Sequence, residues 1–235
     1  MAAVSLTIEV AAFEPAVASA TTCADAHLEA AGAIDPPSAA KGAKALWTVK
    51  AMHADDWDEP GTPGWASEVL WVGTNDEYPE FSWVEVGALH GWQGQNIYAY
   101  YTAHELHGDH NTYVEFKFSK AAATGQSVYA KAYQTATNIY RAEIVVNGST
   151  ESVTWSGHSP NTVEYLAGLE VTCATSKVNN TFVSTNSYLR SSDGLWINPT
   201  TNAGKFNDPP SFFGWCTMPV SFRYRINSTI ADACS

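Results

Sequence analysis

The segment Thr112–Ser119, with the sequence TYVEFKFS, decides the fold class. Val114, Phe116 and Phe118 occupy every second position, and the positions between them hold Tyr113, Glu115 and Lys117. The segment Ser127–Thr135, SVYAKAYQT, repeats the alternation with small apolar residues. A period of two is typical of β-strands with one buried face. Both segments are therefore predicted as strands of a layered β structure.

Short apolar and aromatic segments of similar length occur along most of the chain, separated by Gly, Pro, Asn and Asp. No amphipathic helix longer than about two turns is predicted. Regularly spaced strands of this kind indicate a sandwich or barrel. We predict an all-β, antiparallel double-sheet sandwich of the jelly-roll or concanavalin-like type. The strands predicted beside the two above are Ala45–Met52, Glu68–Gly73, Phe81–Leu89, Ile97–Ala103, Tyr140–Asn147, Ser152–Ser156, Thr162–Cys173, Phe182–Arg190 and Phe212–Arg225.

The N-terminal part of the chain has a different composition. Residues 11–45 are rich in Ala and Pro and contain few large hydrophobic residues. We expect an irregular N-terminal arm over residues 1–44, with at most a short helix around Asp25–Ala31, and a sandwich domain over residues 45–235. A domain of this size can bury enough surface to fold without a metal.

The charge of the chain limits its partners. Asp and Glu total 24 against 12 Lys and Arg, which gives a net charge of −12. Such a field repels nucleic acids and anionic membranes, so neither is an expected partner. The sequence contains no apolar run that approaches the roughly 18 residues of a membrane-spanning helix. An acidic surface also suits acid media, where its carboxylates are neutralised.

Cysteines and sequons indicate an extracellular protein. The cysteines are far apart and form no metal-knuckle spacing, so two disulfides of undetermined pairing are the preferred interpretation. The cysteines are Cys23, Cys173, Cys216 and Cys234, and the N-x-[ST] sequons are at Asn147, Asn179 and Asn227. Secretion is the expected localisation.

Two predicted strands carry glutamates where an apolar residue is expected. Glu85 lies in the otherwise apolar segment Trp83–Gly87. In Thr162–Thr172, Glu164 and Glu170 share one face with Gly168, whereas the other face is apolar. If Glu85 and Glu170 lie on neighbouring strands, one keeps a proton while the other stays ionised. A pair of this kind can activate water at acid pH.

These segments resemble the β-sandwich glutamic peptidases. The resemblance rests on Val69–Gly73 (VLWVG), Ser82–Gly87 (SWVEVG), Ile97–Thr102 (IYAYYT) and Gly168–Val171 (GLEV). It is nearer to the neprosin branch than to the fungal eqolisins, which have glutamine at the first catalytic position. It implies an acid-acting endopeptidase without cofactor or metal that acts on a polypeptide substrate, with cleavage next to proline in the neprosin branch.

By this resemblance Glu85 takes the first catalytic position and Glu170 the second, with Glu164 as the alternative second acid under a shifted register. The cysteine-containing insertion of the neprosin branch is absent from this sequence. Aromatic residues of the same strands are the candidate substrate-binding residues: Trp71, Trp83, Tyr98 and Tyr100.

Other functions stay open at this point. A surplus of tryptophan and tyrosine also suits a carbohydrate-binding, lectin-like sandwich, whose partner would be a glycan. A structural extracellular or virion component without catalysis is the third alternative. The candidate metal ligands are His104, His107 and His110, although Gly108-Asp109 marks a turn and a His-rich hairpin loop is preferred. The oligomeric state is left open.

Overall fold

The computed structural model of the chain describes residues 27–34, 40–53, 64–75, 82–95, 97–158, 164–172, 177–178, 181–183, 185–190, 194–197, 204–208, 214–217 and 224–227. Within these ranges the only helical element is a 3-10 turn at Trp92–Gly94. The strands are β1 His27–Ile34, β2 Ala40–Thr48, β3 Met52–His53, β4 Ala66–Asn75, β5 Ser82–His90, β6 Tyr98–Leu106, β7 Asp109–Ala121, β8 Ser127–Ala136, β9 Ile139–Val146, β10 Ser149–Ser156, β11 Glu164–Thr172, β12 Lys177–Val178, β13 Thr181–Val183, β14 Thr185–Arg190, β15 Trp196–Ile197, β16 Gly204–Asp208, β17 Gly214–Thr217 and β18 Tyr224–Asn227.

Two large antiparallel sheets form the fold. One has seven strands in the order β16-β1-β11-β4-β5-β6-β7, and the other has six in the order β10-β9-β8-β2-β14-β15. Two smaller sheets, β12-β3 and β13-β18-β17, complete the described strands. The prediction of an all-β, antiparallel double-sheet sandwich is confirmed.

The main core lies between the two large sheets because one face of each sheet is apolar. Leu70 and Val86 on the seven-stranded sheet, and Trp47 and Ile144 on the six-stranded sheet, belong to one buried cluster. The alternating residues of the seven-stranded sheet point away from the six-stranded sheet, onto what we call the outer face. A second, smaller apolar cluster covers part of that outer face: Val69, Leu89, Trp92, Ala99 and Tyr101.

The predicted irregular arm is wrong for two of its segments. His27–Ile34, where at most a short helix was expected, is β1, and it pairs with both β11 and β16. Ala40–Lys44 belongs to β2, which pairs with β8 and β14. Both segments are rich in alanine, which has low intrinsic strand propensity, so the sequence gives little indication that they are strands. Pairing on both sides of each strand overrides that preference. Residues 1–26 and 35–39 lie outside the described residues, and the division at residue 44 stays a prediction.

The edges of the two sheets are joined by a carboxylate. Glu151 on β10 accepts hydrogen bonds from the backbone N–H groups of Ser119 (2.7 Å) and Lys120 (3.0 Å) on β7. It also accepts hydrogen bonds from the Ser119 hydroxyl at 2.8 Å and from Lys120 Nζ at 2.9 Å. β7 and β10 are edge strands of different sheets among the described residues. The carboxylate therefore closes this side of the sandwich.

The described side chains include one of the predicted sequons but none of the cysteines. The predicted disulfides lie outside them, because the cysteine side chains at 23, 173, 216 and 234 are not among the described groups. Of the predicted sequons, Asn147 is exposed in the turn between β9 and β10. No helix of the described residues is both long and apolar enough to cross a membrane.

Candidate active site

Glu85 and Glu170 share the outer face of the seven-stranded sheet. Strand β4 lies between their strands, and it pairs Trp71 with Glu85 and Ser67 with Glu170. Trp71 and Ser67 are an even number of residues apart on β4, so both glutamates point to the same side of the sheet. Their exposed fractions are only 5% and 6%. The strand order therefore brings the two predicted residues to one buried region.

Electrostatics couple the two glutamates. Burial raises the pKa of Glu85 well above its usual value, and the charges of Glu170 and then Glu115 raise it further. Side-chain hydrogen bonds from Trp71 and Tyr101 favour the ionised form and oppose the shift. Because two nearby carboxylates in a buried site cannot both ionise cheaply, Glu85 holds its proton.

Glycine at position 87 shapes this region. A Cβ at Gly87 would lie 2.3 Å from the backbone oxygen of Glu68 and 2.9 Å from Cα of Val69. Only glycine therefore allows β4 and β5 to approach so closely here. Gly87 pairs with Tyr101 on β6, whose phenol bonds to Glu85. The close approach of β4 and β5 therefore explains why glycine occupies position 87, two residues after Glu85.

Tyr101 is a site residue that the sequence prediction missed. Its side chain is almost fully buried on the outer face, in the smaller apolar cluster. Burial, followed by the charges of Glu85 and Glu170, raises the pKa of Tyr101 well above its usual value, against the opposing effect of the Ser67 hydroxyl. The phenol therefore stays protonated and remains a hydrogen-bond donor toward the carboxyl pair.

A third carboxylate stands beside Glu85. Ala103 pairs with Glu85 on one side and with Glu115 on the other, so Glu85 and Glu115 are level with each other across β6. Glu115 accepts a short hydrogen bond from the Tyr113 phenol. The Tyr113 ring lies 5.9 Å from the ring of Trp83, centroid to centroid. Trp83, Tyr113 and Glu115 therefore form one border of the site, and only Trp83 was predicted.

The predicted substrate-binding residues divide between the two faces. Trp71 and Trp83 lie half-buried on the outer face with Glu85. Tyr100 is fully buried in the core between the sheets, where its hydroxyl donates to Gln126 Oε1 at 2.8 Å. Tyr98 packs against the same core, and its hydroxyl donates to the Met52 backbone oxygen at 2.9 Å. The assignment of Tyr98 and Tyr100 to substrate binding is thus wrong, because the pleat turns them away from Glu85.

The candidate metal ligands do not converge. His104 faces the core between the sheets, His107 is exposed in the β6–β7 turn with φ 57°, and His110 Nδ1 lies 2.9 Å from Glu105 Oε2. The described part of the chain contains no group of three or more His, Cys, Asp or Glu side chains that could hold a metal ion. The hairpin interpretation of this motif agrees with the turn at Gly108.

Further acidic residues take register positions on the same face. Glu164 begins β11 and pairs with Gly73, at the opposite end of the strand from Glu170. Glu29 of β1 pairs with Glu170, and Asp208 of β16 pairs with Glu29. The backbone register therefore places a row of three acidic residues across β16, β1 and β11. The side chains of Glu29, Glu164 and Asp208 lie outside the described groups.

Comparisons with known proteins show similarity of fold. The chain is similar to the crystal structure of scytalido-glutamic peptidase with a transition-state analogue inhibitor, with a TM-score of 0.57, 13% identity, and coverage of 87% of this chain and 99% of that one. A second structure of that peptidase, with a peptide-based transition-state analogue, gives a TM-score of 0.56 at the same identity and coverage. SCP-B, a member of the eqolisin family of peptidases in complex with the tripeptide Ala-Ile-His, gives 0.50 at 11% identity, again with 87% and 99% coverage. No family model and no curated protein matches the chain.

Proposed function

We propose that this chain is an acid-acting peptidase of the glutamic type, in which Glu85 and Glu170 activate water for hydrolysis of a peptide bond. The observation that carries the proposal is that both glutamates are buried on one face of the sheet, where the charge of Glu170 raises the pKa of Glu85. The fold is that of known glutamic peptidases, whose solved structures hold peptide-like inhibitors or a tripeptide. That similarity supports a polypeptide as the substrate.

The two glutamates take different roles in the proposed reaction. Glu85, whose pKa burial raises, is the proton donor, and Glu170 is the base. Glu170 takes a proton from water as the water oxygen bonds to the carbonyl carbon, and Glu85 donates to the carbonyl oxygen. The tetrahedral intermediate then collapses. The C–N bond breaks, the amine nitrogen receives the proton held by Glu170, and the carbonyl returns the other proton to Glu85.

Other side chains serve this reaction through Glu85. The hydrogen bonds from Trp71 and Tyr101 hold its carboxyl on the outer face. Glu115 adds negative charge beside it and so favours the protonated form. Burial and the charges of Glu170 and Glu115 outweigh these hydrogen bonds, so Glu85 keeps its proton and can act as the donor.

A test of the proposed function replaces each carboxyl with an amide of the same shape. We expect Glu170→Gln to lower peptidase activity at pH 3–5 by on the order of a hundredfold or more, because the base is lost. Glu85→Gln also loses its transferable proton and falls by a similar factor. Both variants should keep the wild-type unfolding temperature within a few degrees. Full activity in both variants would refute the mechanism.

The matched control for these variants is Glu143→Gln. Glu143 is another buried glutamate, but it lies on the six-stranded sheet and pairs with Lys131 Nζ at 2.5 Å. It should change stability and leave the kcat of the folded protein unchanged.

We further propose that the protein is secreted, with the exposed Asn147 sequon glycosylated and the cysteines oxidised. Cleavage next to proline stays part of this proposal and is tested with peptide libraries. No observation favours the lectin alternative over the peptidase. Among the tryptophans whose burial is described, Trp47, Trp92 and Trp155 are buried, and Trp65, Trp71, Trp83 and Trp196 are half-buried.

A further inference from the structure

A pair of buried histidines lies between the sheets, behind the strand that carries Glu85. His158 is fully buried and His104 is 8% exposed. His104 Nδ1 and His158 Nε2 are 3.1 Å apart, and His158 Nδ1 is 3.0 Å from the Thr74 hydroxyl oxygen. The peptidase reaction proposed above uses neither histidine.

The hydrogen bonds define where the protons of this pair lie. The Thr74 hydroxyl donates to the Ser82 backbone oxygen at 3.2 Å, so it accepts from His158 Nδ1–H. His158 Nε2 is then an acceptor, and His104 Nδ1–H donates to it. Both nitrogens of His158 are engaged in this arrangement. A further proton on His158 Nε2 would face the His104 N–H, so the pair cannot accept it without separating.

The described side chains in contact with this pair are aromatic rings and the Thr74 hydroxyl, and none of them carries a negative charge. The Tyr140 ring on β9 meets His158 edge-on at 5.6 Å, and the Trp155 ring on β10 stacks on His104 at 4.2 Å. Among the described residues, the charge of His107 also acts on His158 and repels a cation there. Glu105, next to His104 in sequence, points to the other face and contacts His110. Burial, with the charges of His104 and His107, lowers the pKa of His158 to about 3, and burial lowers the pKa of His104.

A chain of contacts joins this pair to Glu85. Trp155, which stacks on His104, donates its indole N–H to the Thr102 hydroxyl oxygen at 3.0 Å. The Thr102 hydroxyl in turn donates to the backbone oxygen of Glu85 at 2.6 Å. Thr102 and Trp155 are buried in the close-packed core, so a displacement of the Trp155 ring is passed directly to the Thr102 side chain. The backbone of Glu85 is therefore held from the core side by groups that rest on the histidine pair.

We propose that Thr102 is a positioning residue for Glu85, and that entry of a proton at His158 Nε2 separates the His104–His158 pair, releases Trp155 and Thr102, and so disturbs the position of Glu85 at low pH. This inference rests on the proposed peptidase function for its catalytic readout, but its structural readout does not. The carboxyl pair has pH limits of its own, because the proposed reaction needs Glu85 protonated and Glu170 ionised. Proton entry at the histidines is a separate, structural cause of loss at low pH.

Substitutions at Thr102 test the positioning role. Thr102→Val keeps the shape and removes the hydroxyl, so we expect kcat on a peptide substrate to fall on the order of tenfold or more, with KM little changed, since small misplacements of a catalytic group are costly. Thr102→Ser restores the hydroxyl and should restore kcat. Equal kcat in wild type and Thr102→Val, with both folded, would overturn the positioning role.

The proton-entry step is tested by pH titration of the full chain. We expect the His158 ring and the Trp155 indole N–H signals in NMR spectra to change together below about pH 4, the pH range set by the depressed pKa of His158. His158→Gln should abolish the Trp155 change and shift the acid limit of activity to lower pH, as far as protonation of the carboxyl pair allows. A Trp155 signal that ignores His158 titration, or an acid limit unchanged in His158→Gln, would overturn the inference. Coupled NMR signals in a chain without peptidase activity would instead refute the proposed function and leave the proton-entry step standing.

Discussion

The carboxylate of Glu151 provides the sharpest prediction of stability. It joins the edge strands β7 and β10 by accepting from two backbone N–H groups, one hydroxyl and one ammonium group. Partial burial by itself raises its pKa, but the hydrogen bonds from Lys120 and Ser119 outweigh burial and lower the pKa to about 2 from an ordinary value of 4.5. The folded protein therefore binds a proton at Glu151 less readily than the unfolded chain does.

The magnitude follows from linkage. A shift of this size corresponds to about 3 kcal/mol at neutral pH, at roughly 1.4 kcal/mol per pKa unit. The Glu151 side chain is 21% exposed, so solvent screening reduces the figure to about 2 kcal/mol. Because the folded pKa is depressed, this stabilisation is fully present above pH 4.5 and is lost as pH falls through about 2. About half of it should be left at pH 3.

The assay compares urea unfolding of wild type and Glu151→Gln at several pH values from 7 to 2.5. We expect the variant to be less stable by about 2 kcal/mol at pH 7 and nearly equal to wild type at pH 2.5. Lys120→Met serves as the control for the ion pair alone and should cost less than about 1 kcal/mol. A difference between wild type and Glu151→Gln that stays constant over this range would refute the reasoning.

Three other substitutions give distinct outcomes. Gly87→Ala places a Cβ 2.3 Å from a backbone oxygen, so it should lower the urea midpoint sharply or prevent folding, and an unchanged midpoint would contradict the close approach of β4 and β5. Leu169→Ala, at a fully buried core position, should cost about 2–5 kcal/mol, whereas Phe116→Ala, at a site 47% exposed, should cost less than about 1 kcal/mol; equal costs would contradict the difference in burial between these two side chains. Tyr101→Phe removes a hydrogen bond that favours ionised Glu85, so the pKa of Glu85 should rise further and the alkaline limit of activity should move to higher pH, and a move to lower pH would contradict this contact.

Much of the fold could be predicted from the alternation of apolar and polar residues. The errors occurred in segments where both faces are apolar, because alternation then does not identify the face that points to the core. In β11 the sequence separates a glutamate face from an apolar one, and Tyr165, Ala167 and Leu169 are buried as predicted. In the segment Ile97–Ala103 both faces are apolar, so the sequence does not say which tyrosines share a face with Glu85. Pairing with β5 decides it, and Tyr101 is the one that opposes Gly87.

Other features depend on contacts between distant residues and could not be predicted locally. Glu115 was assigned to the charged face of its strand, but its level position beside Glu85 follows from the register of β6 and β7. His158 carries no signal in its own segment, and its meeting with His104 requires both sheets to be in place. β1 gave no signal because its alanines have weak strand preference, and its neighbours in the sheet supply the pairing.

The strand order of the seven-stranded sheet has a consequence for biosynthesis. β11 lies between β1 and β4, so residues near 30 and 70 cannot reach their common neighbour until residue 172 has left the ribosome. Chains emerge from the ribosome N-terminus first. Pairing between distant strands is slow because the entropy of loop closure is lost before the strand contacts stabilise the chain. Until then β1 and the adjoining edge of β4 have no partner strand and need protection from aggregation. Glu170 also joins the face that carries Glu85 only at that stage, so under the proposed function a nascent chain should have no peptidase activity.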